Sequence, residues 1–297
     1  EFTEIVSVMK NGKMVSQDLL TQKVSDNELI NLMMGNVKKS QINKDNTIGD
    51  VKLDVINVSF KDPVNNIKKL SNVNLQIKSG EILGLAGVSG NGQVELANII
   101  SGIERTFEGK IIINDNDISN KGVKSRKKLN LSYIPENRLG VGLAPGVSVI
   151  DNSIVRDYFQ TKLGPHLSKN RSAKYLENLI NEFSIKAPNP KAEISTLSGG
   201  NMQKLLMGRE LVGNPDVIIA AQPTRGLDVN AVEGIHNLLI DQRNRGSAIF
   251  LISEDLDELF KLCHRLLVIY EGKVIKSFTT TDSNISSVGL AMAGINE

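Results

Sequence analysis

Three short stretches of the chain carry residue types that phosphate chemistry uses. In the first, Gly87-Val88-Ser89-Gly90-Asn91-Gly92-Gln93-Val94, three glycines follow an apolar run and precede a helical pattern. Glycines there let backbone N–H groups approach an anion at the positive end of a helix. The two positions after Gly92, where a lysine would reach the β and γ phosphates and a hydroxyl would ligate magnesium, hold Gln93 and Val94. Alone, these glycines would serve equally well in a tight turn that holds no ligand. The second stretch is LSGGNMQK, Leu197 to Lys204. Ser198 is placed to cap a helix, with Gly199 and Gly200 exposing N–H groups ahead of Asn201, although a plain Ser-capped helix after a glycine turn would read the same. In the third, DVIIAAQPTRGLD (Asp216 to Asp228), an apolar strand runs into a Pro-Thr turn and a Gly-Leu-Asp loop.

Strands and helices must hold these stretches in place. VKLDVINVSF alternates apolar and polar side chains and predicts a strand, followed by VNLQIK as another. EILGLAG predicts a short buried strand leading into the glycine loop, and QVELANIISG a helix with Leu96, Ile99 and Ile100 on one face. IIIN, LSYI, DVIIAA, AIFLIS and RLLVIY add apolar strands, with helices expected over Val229–Arg245 and Asp255–Leu262. Alternation of strands and helices argues for an α/β fold whose mostly parallel sheet is covered on both faces. The stretch from about Val147 to Gly213 shows no convincing strand and predicts a helical insert.

An internal echo shapes the domain reading. VMKNGKMV (Val8 to Val15) resembles VIYEGKVI (Val268 to Ile275) at an offset of 260 residues. Each is followed by a polar stretch and a small-residue, Met-rich close, LMMG at Leu32–Gly35 and AMAG at Ala291–Gly294. Two unrelated hairpins with Gly-Lys turns could produce the first match, and the second match favours a repeat. Residues 1–35 are therefore expected to be the tail of one module, residues 36–50 a polar linker, and residues 51–297 a second copy. The start at Glu1, without an initiator methionine or a signal segment, fits a piece of something longer.

Bulk properties exclude more than they assign. The 35 basic and 33 acidic residues are well mixed, so no field demands nucleic acid or anionic lipid. Cys263 is the one cysteine and has no internal disulfide partner, which fits a reducing compartment; it is expected to pack on a helix. His166, His236 and His264 have no spacing that resembles a zinc site, so no metal ligand is assigned and all three are expected to be structural or surface residues. No apolar run approaches the ~18 to 20 residues needed to span a bilayer, so a membrane role would be peripheral.

The glycine loop, LSGGN and strand-PTRGLD, in that order, resemble the nucleotide-binding domain of an ABC transporter, from about Val51 to the chain end. Such tandem cassettes are typical of importers for ribose-like sugars and nucleosides. PENRLGVGLAPGVSVIDN (Pro135 to Asn152) and AAQPTRGLDVNAVEGIH (Ala220 to His236) look most like the second cassette of nucleoside importers served by binding lipoproteins. The resemblance implies a P-loop NTPase fold of ABC type with an antiparallel β subdomain. It also implies ATP as ligand, membrane permease subunits and an extracytoplasmic binding protein as partners, no nucleic acid, and a peripheral place on the cytoplasmic face of the membrane. The permease would dock along about Glu136 to Ile150, and an adenine-stacking aromatic is expected near the first strand, where Phe60 is a candidate and a buried strand residue the alternative reading.

Carried over position by position, the family's magnesium-binding Asp and catalytic Glu fall on Ala221 and Gln222, its switch histidine on Glu254 and its loop glutamine on Glu136. Alanine has no ligand atom, and a glutamine amide lacks the basicity of a carboxylate. The chain's own site is thus expected to hold nucleotide weakly or not at all, with no catalytic residue in cis. In this family ATP is sandwiched between the glycine loop of one cassette and the signature of its partner. Ser198, Gly199, Gly200 and Asn201 would then complete an ATP and magnesium site whose catalytic groups lie in a first cassette, and Asp228 would sit at the same interface. A cassette that only binds its partner, or a soluble relative acting in translation or repair, are the competing readings. A kinase-like P-loop enzyme would need the lysine that Gln93 replaces.

Overall fold

Apolar runs such as Ile82–Ala86 and Val217–Ala221 cannot leave either face to water, and they form the centre of a sheet covered on both sides. The computed structural model describes residues 4–10, 13–20, 48–105, 107–158, 162–163 and 166–295. Along the chain run β1 (Ile5–Lys10), β2 (Lys13–Leu20), β3 (Val51–Lys61), β4 (Lys68–Lys78), β5 (Ile82–Ala86), α1 (Gln93–Ser101), β6 (Glu108–Ile113), β7 (Asn116–Asp117), α2 (Val123–Lys128) and β8 (Leu131–Ile134). There follow α3 (Val149–Ile154), β9 (Lys162–Leu163), β10 (His166–Leu167), α4 (Lys169–Glu182), α5 (Gly199–Leu211), β11 (Val217–Ala221), α6 (Val229–Asn244), β12 (Ala248–Ser253), α7 (Leu256–Leu262), β13 (Arg265–Tyr270), β14 (Lys273–Thr279) and α8 (Ile285–Met292).

The central sheet has the order β14-β13-β5-β12-β11-β8, parallel from β13 to β8, with β14 antiparallel at the edge. A second, antiparallel sheet has the order β4-β3-β6-β7. The two-residue period of the strands divides the core. Ile218, Ala220, Ile249 and Leu251 face Leu205, Leu206 and Leu239 of the helical side, while Val217, Ile219 and Phe250 join Leu96, Ile99, Leu53 and Ile77 on the side of the antiparallel sheet. The glycine loop, Pro135, Gln222 and Glu254 all follow the carboxyl ends of parallel strands, where open α/β sheets bind ligands.

Three expectations are refined. The 147–213 stretch holds α3, α4 and α5, but β9 and β10 pair within it as a two-residue ladder, too short to show a period in sequence. Phe60 is only 6% exposed and packs in the apolar core, because the irregularity at Asn57 (φ 52°) shifts the alternation of β3 so that Val58 and Phe60 face inward, and the adenine-stacking role is set aside. Cys263 is buried one residue beyond α7 rather than within it.

The repeated octapeptide forms two antiparallel hairpins with matching rungs. Val8↔Ser16, Met9↔Met14 and Lys10↔Lys13 recur as Val268↔Lys276, Ile269↔Val274 and Tyr270↔Lys273, with a register shift between the first two rungs in each. The echo at Leu32–Gly35 and most of the expected linker lie outside the described residues.

Candidate functional site

A cavity of about 530 Å³ opens where the carboxyl ends of β5, β8, β11 and β12 meet. Its lining brings together Gly90, Gln93 and Val94 with Glu136, Ala221, Gln222 and Glu254, residues that the sequence places up to 165 positions apart (Ser89 to Glu254). Signature residues do not line it.

The glycine loop is closed on itself. Gly92 has a φ of 106° and starts α1; a Cβ there would stand 2.7 Å from Leu70 Cδ2 and 2.8 Å from the Lys69 carbonyl oxygen. The Val88 carbonyl accepts from Asn91 N (3.3 Å), Asn91 Nδ2 (2.9 Å) and Gln93 Nε2 (3.0 Å). Asn91 also accepts from Glu271 N through Oδ1 (2.7 Å) and from Gly272 N through its carbonyl (3.1 Å), which fastens the loop to the β13–β14 turn. Gln93 is 7% exposed, so its amide is a buried internal donor where the resemblance calls for a lysine.

The other positions fit a magnesium triphosphate no better. Val94 presents an isopropyl group and Ala221 a methyl group. Gln222, at a φ of 47°, donates its N–H to the Ile252 carbonyl (2.8 Å), and its Oε1 accepts from Glu254 N (3.4 Å). Its amide therefore serves the loop after β12. Glu136 forms an ion pair with Arg225, so its negative charge is countered within the chain. Among the described residues no group of three or more His, Cys, Asp or Glu could hold a metal ion. The residues present do not fit the nucleotide–metal group that the resemblance implies for this cavity.

The second stretch keeps its geometry. Ser198 caps α5, its Oγ accepting from Asn201 N (3.4 Å) and Asn201 Nδ2 (2.8 Å), while Asn201 Oδ1 accepts from Lys186 N (2.8 Å). Ser198 is exposed at the helix start. Asp228 caps α6 through Ala231 N (3.0 Å), a local role that its loop position alone did not reveal. A Cβ on Gly200 would lie 2.9 Å from Ala231 Cβ and 3.9 Å from Asp228 Oδ2. The signature and the Gly-Leu-Asp loop thus meet in this chain.

Two functional-looking groups escaped the sequence reading. Arg138 Nε donates to Gln203 Oε1 (2.7 Å) and Nη2 to the Arg225 carbonyl (3.0 Å); burial lowers the pKa of this guanidinium. Glu258 Oε1 meets His236 Nε2 (2.9 Å) and accepts from Thr224 Oγ1 (2.8 Å), joining α7, α6 and the Pro-Thr turn. Burial pushes Glu258 up, but hydrogen bonds from His236, Ser253 and Thr224 outweigh it and hold the carboxyl below the ordinary glutamate range. His264 Nδ1 accepts from Ile82 N (3.0 Å) and His166 is exposed, so the histidines are structural or on the surface as expected.

Residues 70–225 match the family described as ABC transporter. The chain is 35% identical over 294 residues to the glucose import ATP-binding protein TsgD13 of Haloferax volcanii, covering 97% of this chain and 53% of that protein. It is 36% identical over 293 residues to the guanosine import ATP-binding protein NupO of Bacillus subtilis, covering 97% and 57%. The ribose import ATP-binding protein RbsA of Clostridium perfringens is 32% identical over 294 residues, with 98% and 57% covered. The chain spans somewhat over half the length of these curated relatives. A nucleotide-free ATP-binding cassette from an ABC transporter superposes with a TM-score of 0.68 at 20% identity, covering 83% of this chain and 100% of that one. A dimeric cassette in a post-hydrolysis state with ADP and phosphate gives 0.65 at 24% identity, covering 77% and 98%. The fold is the P-loop NTPase fold of ABC type, with its parallel core and antiparallel β subdomain.

Proposed function

The chain belongs to the ABC transporter family, and from that premise we propose that it supplies the second of two ATP-binding cassettes in an importer of nucleosides or simple sugars. Its own cavity does not hydrolyse nucleotide, and Ser198, Gly199, Gly200 and Asn201 complete the ATP and magnesium site of a first cassette in the same protein. The observation that carries this reading is an asymmetry. At the Gly87–Val94 cavity Asn91, Gln93 and Gln222 turn their amides to internal bonds, whereas Ser198 stands exposed on an intact helix cap. Phosphoryl transfer depends on positioning and electrostatics, and loss of the lysine, the metal ligands and the polarising carboxylate removes both from this cavity.

Further support comes from the matching rungs of the β1–β2 and β13–β14 hairpins, which suit the tail of a preceding copy in residues 1–35, a linker in 36–50 and a cassette in 51–297. The relatives' names, which include guanosine, ribose and glucose import, support the substrate class. An apolar groove of about 350 Å³ beside Val141 and Val155, both 58% exposed, suits a permease helix and so a peripheral position at the cytoplasmic face of the membrane, with a binding protein delivering substrate outside. Among the described residues no helix is long and apolar enough to cross a membrane.

The test is substrate uptake by the full-length protein with its permease. Ser198→Ala should abolish uptake, and Gln93→Ala should have much less effect; the reverse ranking sinks the proposal. A second reading, a cassette that binds no nucleotide and acts only by contact, is favoured by the buried Gln93 amide. Titrating nucleotide into this chain with and without a first cassette separates the two.

A further inference from the structure

Gln203 lies on α5 at 2% exposure, so its amide oxygen needs a donor from the protein. That donor is Arg138 Nε at 2.7 Å, from the loop after β8, and the same guanidinium donates through Nη2 to the Arg225 carbonyl at 3.0 Å. Its third nitrogen, Nη1, stands 3.2 Å from where a Cβ on residue 199 would be, so the glycine at Gly199 leaves the space the guanidinium occupies. Two residues before Arg138, Glu136 grips the side chain of Arg225 as an ion pair. One loop therefore holds the Pro-Thr turn by its main chain and its side chain, and holds the signature helix by a buried amide.

We infer that Arg138 is a positioning residue for the signature, a strut whose two-pronged guanidinium fixes the start of α5 against the turn at Arg225 and so sets where Ser198 points. The strut consists wholly of protein atoms, and its geometry does not wait on a ligand in the chain's own cavity. Arg138 touches no reacting atom. It acts through α5, and its effect on turnover rests on the proposal that Ser198 serves a partner's ATP site. Lysine cannot replace it, because a single ammonium cannot reach the Gln203 oxygen and the Arg225 carbonyl from one planar fork.

The decisive measurement is hydrogen exchange at the amides of Met202, Gln203 and Lys204 in this chain. Arg138→Gln should speed their exchange about tenfold, Arg138→Lys by less, with β11 unchanged as the internal control. Gln203→Met should reproduce the effect, and the double variant should be no worse than either single one, the signature of a shared contact. Unchanged exchange, or fully additive effects, overturns the strut. If Arg138→Gln fails to fold, Arg138→Lys and Gln203→Met carry the same comparison. In the full-length protein, Arg138→Gln should lower kcat for ATP about tenfold with KM within about twofold, with Arg138→Lys in between. If Ser198→Ala leaves turnover intact, the composite site fails while exchange still decides the strut. If Ser198→Ala abolishes turnover and Arg138→Gln does not change it, the positioning role is overturned.

Discussion

Replacing Gln93 by lysine tests directly how the glycine loop is held shut. The Gln93 amide contributes one neutral hydrogen bond, to the Val88 carbonyl at 3.0 Å, worth about 1 kcal/mol. Val88 keeps Asn91 N and Asn91 Nδ2 as donors, so its oxygen is not orphaned and Gln93→Lys should cost stability of only about that amount. A charged contact to a phosphate adds about 1.5 to 3 kcal/mol, which is roughly 10- to 150-fold in affinity at 1.4 kcal/mol per decade. Glu136 and Glu254 line the same cavity and attract the new ammonium, so the gain should fall at the lower end, about tenfold. The assay is titration of this chain with a fluorescent ATP analogue, with and without magnesium. The wild-type chain should bind no tighter than about 1 mM, or some 4 kcal/mol, and without magnesium dependence. Adding Val94→Thr, Ala221→Asp and Gln222→Glu should bring that dependence back. Magnesium-dependent, micromolar binding by the wild-type chain, or no tightening in Gln93→Lys, would refute the reasoning.

Other consequences concern the supports of the site. The folded pKa of Glu258 lies below its unfolded value, so its stabilisation is complete above the ordinary glutamate range of about 4.3 and is lost as pH falls through the lower folded value. Glu258→Gln should flatten the acid limb of a urea-unfolding series; an unchanged limb contradicts this. Gly84 lies on β5, where a Cβ would stand 2.5 Å from Leu266 Cδ2 and 2.8 Å from Cys263 Sγ, so Gly84→Ala should cost about 1 to 3 kcal/mol in equilibrium unfolding through overpacking. Arg126 is fully buried and donates to the carbonyls of Ile99, Ile100, Ile118, Ser119 and Lys121. Arg126→Met removes all five donations, leaving Ile99 and Ile118 only the backbone donors Gly102 N (3.2 Å) and Lys121 N (2.9 Å), and should cost about 3 kcal/mol or more by the same measurement.

The core was legible because its strands are nearly free of polar residues: EILGLAG, DVIIAA and AIFLIS appear as β5, β11 and β12, and QVELANIIS as α1. The gathering of Gln93, Ala221, Gln222 and Glu254 was expected from the family resemblance, carried over position by position, and the cavity brings them together, with Ala221 closing β11 and the others beyond strand ends. What could not be read were contacts between polar residues distant in sequence. Arg138 in PENR has no periodicity to mark it, and its partners lie 65 and 87 positions away. Likewise nothing in the sequence pairs Glu136 with Arg225, which the fold brings to it across 89 positions. Phe60 shows the same limit, because aromatic type suggested a ligand contact while a shift of the strand alternation at Asn57 determined the burial.

The paired hairpins carry a consequence of their own. Residues related by 260 positions share three rungs and the register shift between the first two of them, although their side chains differ, as at Lys10 and Tyr270. The same pairing thus accommodates two different sets of side chains, so parts of one should be exchangeable for the other. Grafting Met14–Ser16 over Val274–Lys276, with buried Ile269 of β13 left in place, should preserve the backbone path of the β14 edge while changing the groups that edge presents. Such a graft should alter the chemistry of that rim without redrawing the sheet beside the glycine loop.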